Sequence, residues 1–185
     1  MAYPQIMEDP KYRAEARKLF EDANNMLDLL EKEKILTANA VLGMFPANSV
    51  GDDIEVYHNG KVTTFNMLRK QEASKADVCP CLADYLAPKE SGKTDYLGSF
   101  ILTTGIGVHE YAEQLKAQGN DYSAIMVKLL ADRLAEAFAE LLHFQVRTNY
   151  WGYSPEEKLT QSQVLKGAFK GIRPAFGYPC LRDHA

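Results

Sequence analysis

The stretch IRPAFGYPC, residues 172–180, places one arginine, Arg173, where Pro174 and Pro179 restrict the backbone and Gly177 precedes Tyr178. A loop stiffened in this way five residues from the last residue is unusual, because terminal residues are ordinarily poorly ordered and variable. It raises the question of what the loop holds. A second group with regular spacing is Asp132 and Glu136, one helical turn apart and directed the same way. They read either as a solvated acidic face partnered by Arg133 and nearby lysines, or as a surface that accepts a polar ligand or another module. Spacing alone leaves both open. His58, His109, His143 and His184 have no mutual ligand spacing, and no Ser-His-Asp or Cys-His arrangement can be argued from their order. Cys79, Cys81 and Cys180 cannot all pair, and the C-P-C spacing is tighter than that of a zinc knuckle. Reduced thiols and no metal site are expected. The GIG stretch at 105–107 lacks the third glycine and the acidic residue of a dinucleotide fingerprint, so it reads as a plain turn. No self-contained catalytic constellation is expected.

The elements that must position these residues are legible from periodicity. Asp9-Pro10 resembles a helix start, and Leu19, Ala23, Met26, Leu27 and Leu30 recur at helical spacing, predicting an amphipathic helix that ends near Lys34. From Val41 to Phe65 the pattern turns to short apolar runs, and HNG between IEVY and KVTTF predicts a tight hairpin. A helical stretch is expected at 66–73, and DYLGSFILTTG at 95–105 reads as a buried strand. Helices are expected near 107–118 and from Tyr122 to Tyr150. In the last of these, Met126, Leu130, Leu134, Phe138 and Leu141 form a core stripe, with Ile125, Leu129, Asp132, Glu136 and His143 on roughly the opposite side. This order of elements suits α+β better than regular βαβ alternation.

Bulk properties are compatible with that architecture. The 185 residues, 46% hydrophobic and 25% charged, suit one soluble domain with a sizeable core, and no linker or repeat divides them. A net charge of −4 argues against nucleic-acid or anionic-membrane partners. No apolar run is long enough to span a bilayer and the first residues do not form a signal peptide, so a cytoplasmic address is expected.

Six blocks carry a more specific signal: FPANSVGDDIEVY (45–57), CLADYLAP (81–88), SGKTDYLGSF (91–100), DYSAIMVKLLADRLAEAFAELLH (121–143), YWGYSPEEKL (150–159) and GIRPAFGYP (171–179). In this order they closely resemble the activation domain of cobalamin-dependent methionine synthase, over essentially the whole chain. The resemblance implies a single α+β domain over 1–185, with a twisted antiparallel sheet and flanking helices. It also implies a module that binds S-adenosylmethionine and packs over a cobalamin-binding module, supporting reductive remethylation of cob(II)alamin with flavodoxin or a similar protein as electron donor. By the same resemblance Arg173 contacts the ligand carboxylate, Pro174 and Ala175 form the loop against which the adenosyl part lies, and Tyr178 sits near the reacting methyl group. Asp132 and Glu136 would face the corrinoid module.

The chemistry suits those roles. Guanidinium presents a planar fork of donors that a carboxylate accepts bidentately, and prolines limit the entropy lost on binding. Two departures stand out: Phe176 occupies a position where the family commonly has proline, and CLRDH at 180–184 differs from the usual segment. The resemblance further implies a partial domain, since the family's upstream aspartate and downstream tyrosine have no counterparts within these residues. Two functions are therefore carried forward: a ligand-binding module of a methyltransferase, not catalytic by itself, and a corrinoid-protein docking domain without useful S-adenosylmethionine binding.

Overall fold

Asp9 forms a turn just ahead of the first helix rather than its N-cap, which is Tyr12. In the structure, a computed structural model that describes residues 3–71 and 78–175, the Asp9 Oδ1 accepts the backbone N–H of Lys11 at 2.8 Å and of Tyr12 at 3.1 Å. This turn leads into α1, Arg13–Lys32. Met26 and Leu30 of the apolar repeat are buried, whereas Leu19 is exposed.

Four strands follow the expected order: β1 (Thr37–Val50), β2 (Asp53–His58), β3 (Lys61–Phe65) and β4 (Asp95–Ile106). They form one sheet in the order β3-β2-β1-β4. The β1–β2 and β2–β3 pairs are antiparallel, with Ser49 opposite Ile54 and Val56 opposite Thr63. The HNG hairpin is present as expected. Asn59 and Gly60 lie between the paired residues His58 and Lys61 with φ of 50° and 73°. Two consecutive positive φ values match the twist of a tight hairpin, and Asn-Gly tolerates both.

The helix expected at 66–73 is absent from residues 66–71, and the last two of its residues lie outside those described. Non-local bonds take the place of a helical ladder. Asn66 Nδ2 and the Met67 N–H donate to the Asp53 carboxylate, and the Lys70 N–H donates to the Pro80 carbonyl at 2.9 Å. The 95–105 segment is a strand as expected, but not a buried one. Thr104 is buried and Ile101 is 79% exposed, so an apolar run here did not mean two covered faces.

α2 spans Val108–Ala117 and α3, the longest helix, spans Asp121–Gln145. Asn120 caps α3 by accepting the Ser123 N–H. A π-turn at Val146–Tyr150 continues the helical path, and a short α4 covers Gln161–Leu165. The core stripe of α3 is rotated from the expected one. Met126 is buried, but Leu141 is 53% exposed, and Ala124, Val127, Ala131 and Leu142 fill the inner positions. Small alanines permit close approach of neighbouring chain, so counting large apolar residues misplaced the face. His143, expected beside Asp132 and Glu136, is buried at 5% exposure.

The described chain falls into two compact units, Met1–Ala40 with Ile101–Leu142 and Val41–Phe100 with His143–Ala185. The first has a core of Met26, Leu30, Ala112, Leu115, Ala124, Met126 and Val127. Within it, Gly107 adopts φ 95°, and a Cβ there would lie 2.4 Å from the Ile35 carbonyl oxygen. The GIG stretch is thus a turn that requires glycine for close backbone approach. The second unit has a core of Ala47, Ile54, Val56, Met67, Cys81 and Ala83. Among the described residues no helix is long and apolar enough to cross a membrane.

Candidate functional site

The path of the Arg173 loop is set upstream of the arginine. Where α3 gives way to the π-turn, Arg147 is fully buried and its guanidinium grips Glu157 bidentately: Nε to Oε2 at 2.8 Å and Nη2 to Oε1 at 2.6 Å. The Glu157 side chain is 6% exposed. The Ser154 N–H donates to the Arg147 carbonyl at 2.8 Å, closing the intervening segment. The Arg147 guanidinium also lies 4.4 Å from the Phe169 ring centroid, within cation–π range. His143, one turn earlier, packs at right angles to the same ring with centroids 5.0 Å apart.

From Phe169 the chain passes beneath Tyr153. The Tyr153 hydroxyl donates to the Lys170 carbonyl at 3.3 Å. Gly171 follows with φ 80°, and a Cβ there would come within 3.0 Å of the Tyr153 hydroxyl oxygen. Arg173 comes two residues later, half-buried, with Pro174 and Ala175 exposed beside it.

The electrostatics follow from this crowding. Burial, reinforced by the positive charges of Arg147 and Arg173 and opposed by Glu157, pushes His143 down to about 4. His143 is therefore neutral near pH 7. Hydrogen bonds from Arg147 hold Glu157 below the usual carboxylate range, and burial raises the Tyr153 phenol. Among the described residues, His143 Nδ1, Arg147 Nη1 and Ser154 Oγ are buried without a hydrogen-bond partner.

Of the residues expected from the sequence, Arg173, Pro174 and Ala175 form one exposed-to-half-buried stretch of the second unit. Tyr178 lies outside the described residues. Asp132 and Glu136 belong to the first unit and are both exposed on α3, where Glu136 accepts from Arg133 Nη1 at 3.1 Å. Ile125 and Leu129 on the same face are 59% and 60% exposed. This face is thus mixed apolar and acidic, and open.

Sequence reasoning did not find the Arg147–Glu157 pair or the parts played by Tyr153 and Phe169. The YWGYSPEEKL block contains two of these residues, but nothing in it specifies which acid meets a buried arginine. Cys81 is buried, its thiol directed to the Asp52 carbonyl, and Cys79 is half-buried. No cluster of His, Cys, Asp and Glu among the described residues is arranged to hold a metal.

Three other blocks are explained by loop fastening in the second unit. Asn48 is buried and donates from Nδ2 to the carbonyls of Ala87 at 2.9 Å and Lys93 at 2.8 Å. Asp95 accepts the Ala87 N–H at 2.8 Å. Arg69 binds Asp84 through both terminal nitrogens at 2.8 and 2.7 Å, Asp52 at 2.7 Å, and the Cys79 carbonyl at 2.7 Å. These contacts hold Asp84 down at about 2, the Arg69 bonds first and the Cys81 N–H second.

A meandering sheet with flanking helices and a fastened arginine loop defines an α+β module distinct from a parallel, doubly wound nucleotide-binding fold. Within that class, the family described as vitamin B12 dependent methionine synthase, activation domain, matches residues 1–185, and the chain belongs to it. Among solved structures, it is similar to one described as the MetH reactivation domain bound to AdoHcy, with 49% identity and a TM-score of 0.87 over 97% of this chain. The match spans 57% of that solved chain.

Proposed function

We propose that this chain is a module that binds S-adenosylmethionine and supports the reductive remethylation of cob(II)alamin in a cobalamin-dependent methionine synthase. The observation that carries the reading is the 49% identity, over nearly the whole chain, to a reactivation domain solved with AdoHcy. The residues present suit such a ligand. Arg173 offers a half-buried donor fork to an amino-acid carboxylate. Ala175 offers an exposed backbone with a small side chain, which an adenosyl group can approach closely.

The hard chemistry belongs to the cofactors: a sulfonium methyl is already activated, and reduced cobalt is a strong nucleophile. The chain's own residues bind and orient. Arg173 fixes the ligand's amino-acid end, while the Pro174–Ala175 stretch and Tyr178 border its adenosyl and methyl parts. Asp132 and Glu136, with Ile125 and Leu129, offer a face on which a separate cobalamin-binding module docks. Flavodoxin, or a protein like it, supplies the electron. In this reading residues 1–185 are part of a larger activation domain whose other segments add further ligand contacts.

Calorimetric titration with S-adenosylmethionine and S-adenosylhomocysteine tests the reading. Arg173→Ala is expected to weaken binding about ten- to a hundredfold, since a charged hydrogen bond contributes about 1.5–3 kcal/mol. Arg173→Lys should recover part of the loss, because charge remains but the bidentate fork does not. An alanine variant that binds as tightly as the parent removes Arg173 from the ligand site and favours the docking role alone.

A further inference from the structure

The buried arginine, its glutamate and the aromatic ring beneath them sit where the ligand loop begins. The Arg147 guanidinium lies 4.4 Å from the Phe169 ring centroid, and the His143 ring packs at right angles to it with centroids 5.0 Å apart. The next residue, Lys170, has its carbonyl fastened by the Tyr153 hydroxyl. The residue after that, Gly171, passes so close to this hydroxyl that a Cβ would have to displace it. Three consecutive residues are thus fixed immediately before Ile172 and Arg173.

Burying a charge pair adds little net stability, because desolvation offsets most of the attraction. A bidentate pair does, however, fix the plane of the guanidinium and therefore the face it presents to a ring. Glu157 sets that plane for Arg147, and Arg147 sets the ring of Phe169. A bidentate grip of this kind restricts orientation more than it adds to the folding energy.

We propose that Arg147, Glu157 and Phe169 are positioning residues for the ligand site: through the 169–171 segment they set where the Arg173 guanidinium stands. This rests on the reading that Arg173 anchors an S-adenosyl ligand. It adds that the anchor's affinity is determined by an assembly of a buried ion pair and a half-buried ring that itself does not touch ligand. His143, neutral near pH 7, packs at right angles to the ring without adding a third positive charge.

The test is a double-mutant cycle on S-adenosylhomocysteine affinity, measured well below the melting temperature. Phe169→Leu keeps an apolar side chain of similar bulk but removes the ring face and edge contacts. It is expected to weaken binding about tenfold when Arg173 is present and to have no effect in the Arg173→Ala background. A loss of the same size in both backgrounds marks a merely structural role and overturns the proposal, as does no loss in either while Arg173→Ala alone weakens binding.

Hydrogen exchange separates the positioning claim from the ligand reading. In the ligand-free protein, backbone exchange across 169–173 is expected to rise about tenfold in Phe169→Leu, with α2 unchanged as an internal reference. Should Arg173→Ala leave affinity intact, the ligand reading falls, and with it the claim that the assembly sets affinity. Exchange still decides whether the assembly holds the segment. An unchanged exchange rate overturns that part too.

Discussion

Two arginines in the second unit make nearly the same contacts in different surroundings. Arg147 grips Glu157 with both side chains almost completely buried. Arg69 grips Asp52 and Asp84, but its side chain is 33% exposed and its partners 51% and 44%. Distance does not distinguish them, since the shortest contacts are 2.6 Å and 2.7 Å. Solvent does. Water and salt reach Arg69 and can replace a lost partner, whereas Arg147 left without Glu157 would keep a full charge in a dry site. The Arg69 arrangement fastens loops cheaply, and the Arg147 arrangement specifies a single internal arrangement at high cost if broken.

The largest expected effect therefore comes from Glu157→Gln. Removing one charge of a buried pair leaves the other uncompensated, at a cost of about 3–5 kcal/mol. Urea denaturation of the variant checks this, and a loss under about 1 kcal/mol, the scale of exposed pairs, would erase the distinction. Replacing both groups by apolar residues of similar volume, Arg147→Met with Glu157→Leu, should restore most of the stability.

Acid probes the same site next. His143 has a folded value of about 4 against an ordinary value of 6.5. Between these the unfolded chain binds more protons, so stability falls as pH drops from 6.5 towards 4. The shift corresponds to about 3 kcal/mol at most. Glu157, held below its usual range by Arg147, acts in the same direction once pH falls below the ordinary carboxylate value. Stability measured against pH should thus decline in two overlapping stages. His143→Phe should flatten the upper stage and leave the lower one, whereas an unchanged profile would mean that His143 is solvated.

How much of this was legible in the sequence depended on how local each cause was. Asn59-Gly60 announced the hairpin because its positive φ values are a property of those two residues. Asp9 announced a turn for a similar reason, accepting backbone N–H groups two and three residues on, although α1 itself starts only after Tyr12. The 66–73 stretch was misread as helix because its hydrogen bonds reach Asp53 and Pro80, which no window around residue 68 contains. The α3 core face was misplaced because Ala124, Val127 and Ala131, not Leu130, Leu134 or Leu141, lie innermost. Arg173 stood out only through its stiff setting and the family blocks. The Arg147–Glu157 pair was invisible, because two residues ten apart reveal their pairing only once both are buried.

The smallest effect, and the one that best sharpens the comparison, concerns Arg69. Its five hydrogen bonds gather Asp52, Cys79 and Asp84, so Arg69→Gln removes three fastenings and leaves two carboxylates near each other. Because all three charged groups are partly solvated, water and counterions compensate most of that loss. The midpoint of denaturation should shift by less than half as much as for Glu157→Gln. Salt then separates the mechanisms. At about 1 M ionic strength the screening length falls to about 3 Å, which weakens the exposed Arg69 bonds in the parent and reduces the remaining repulsion between Asp52 and Asp84 in the variant. The Arg69→Gln effect should consequently shrink with salt, while that of Glu157→Gln stays constant because no counterion reaches Arg147. If both effects declined in parallel, Arg147 would have to be as accessible as Arg69, and burial would no longer account for the difference between the two arginines.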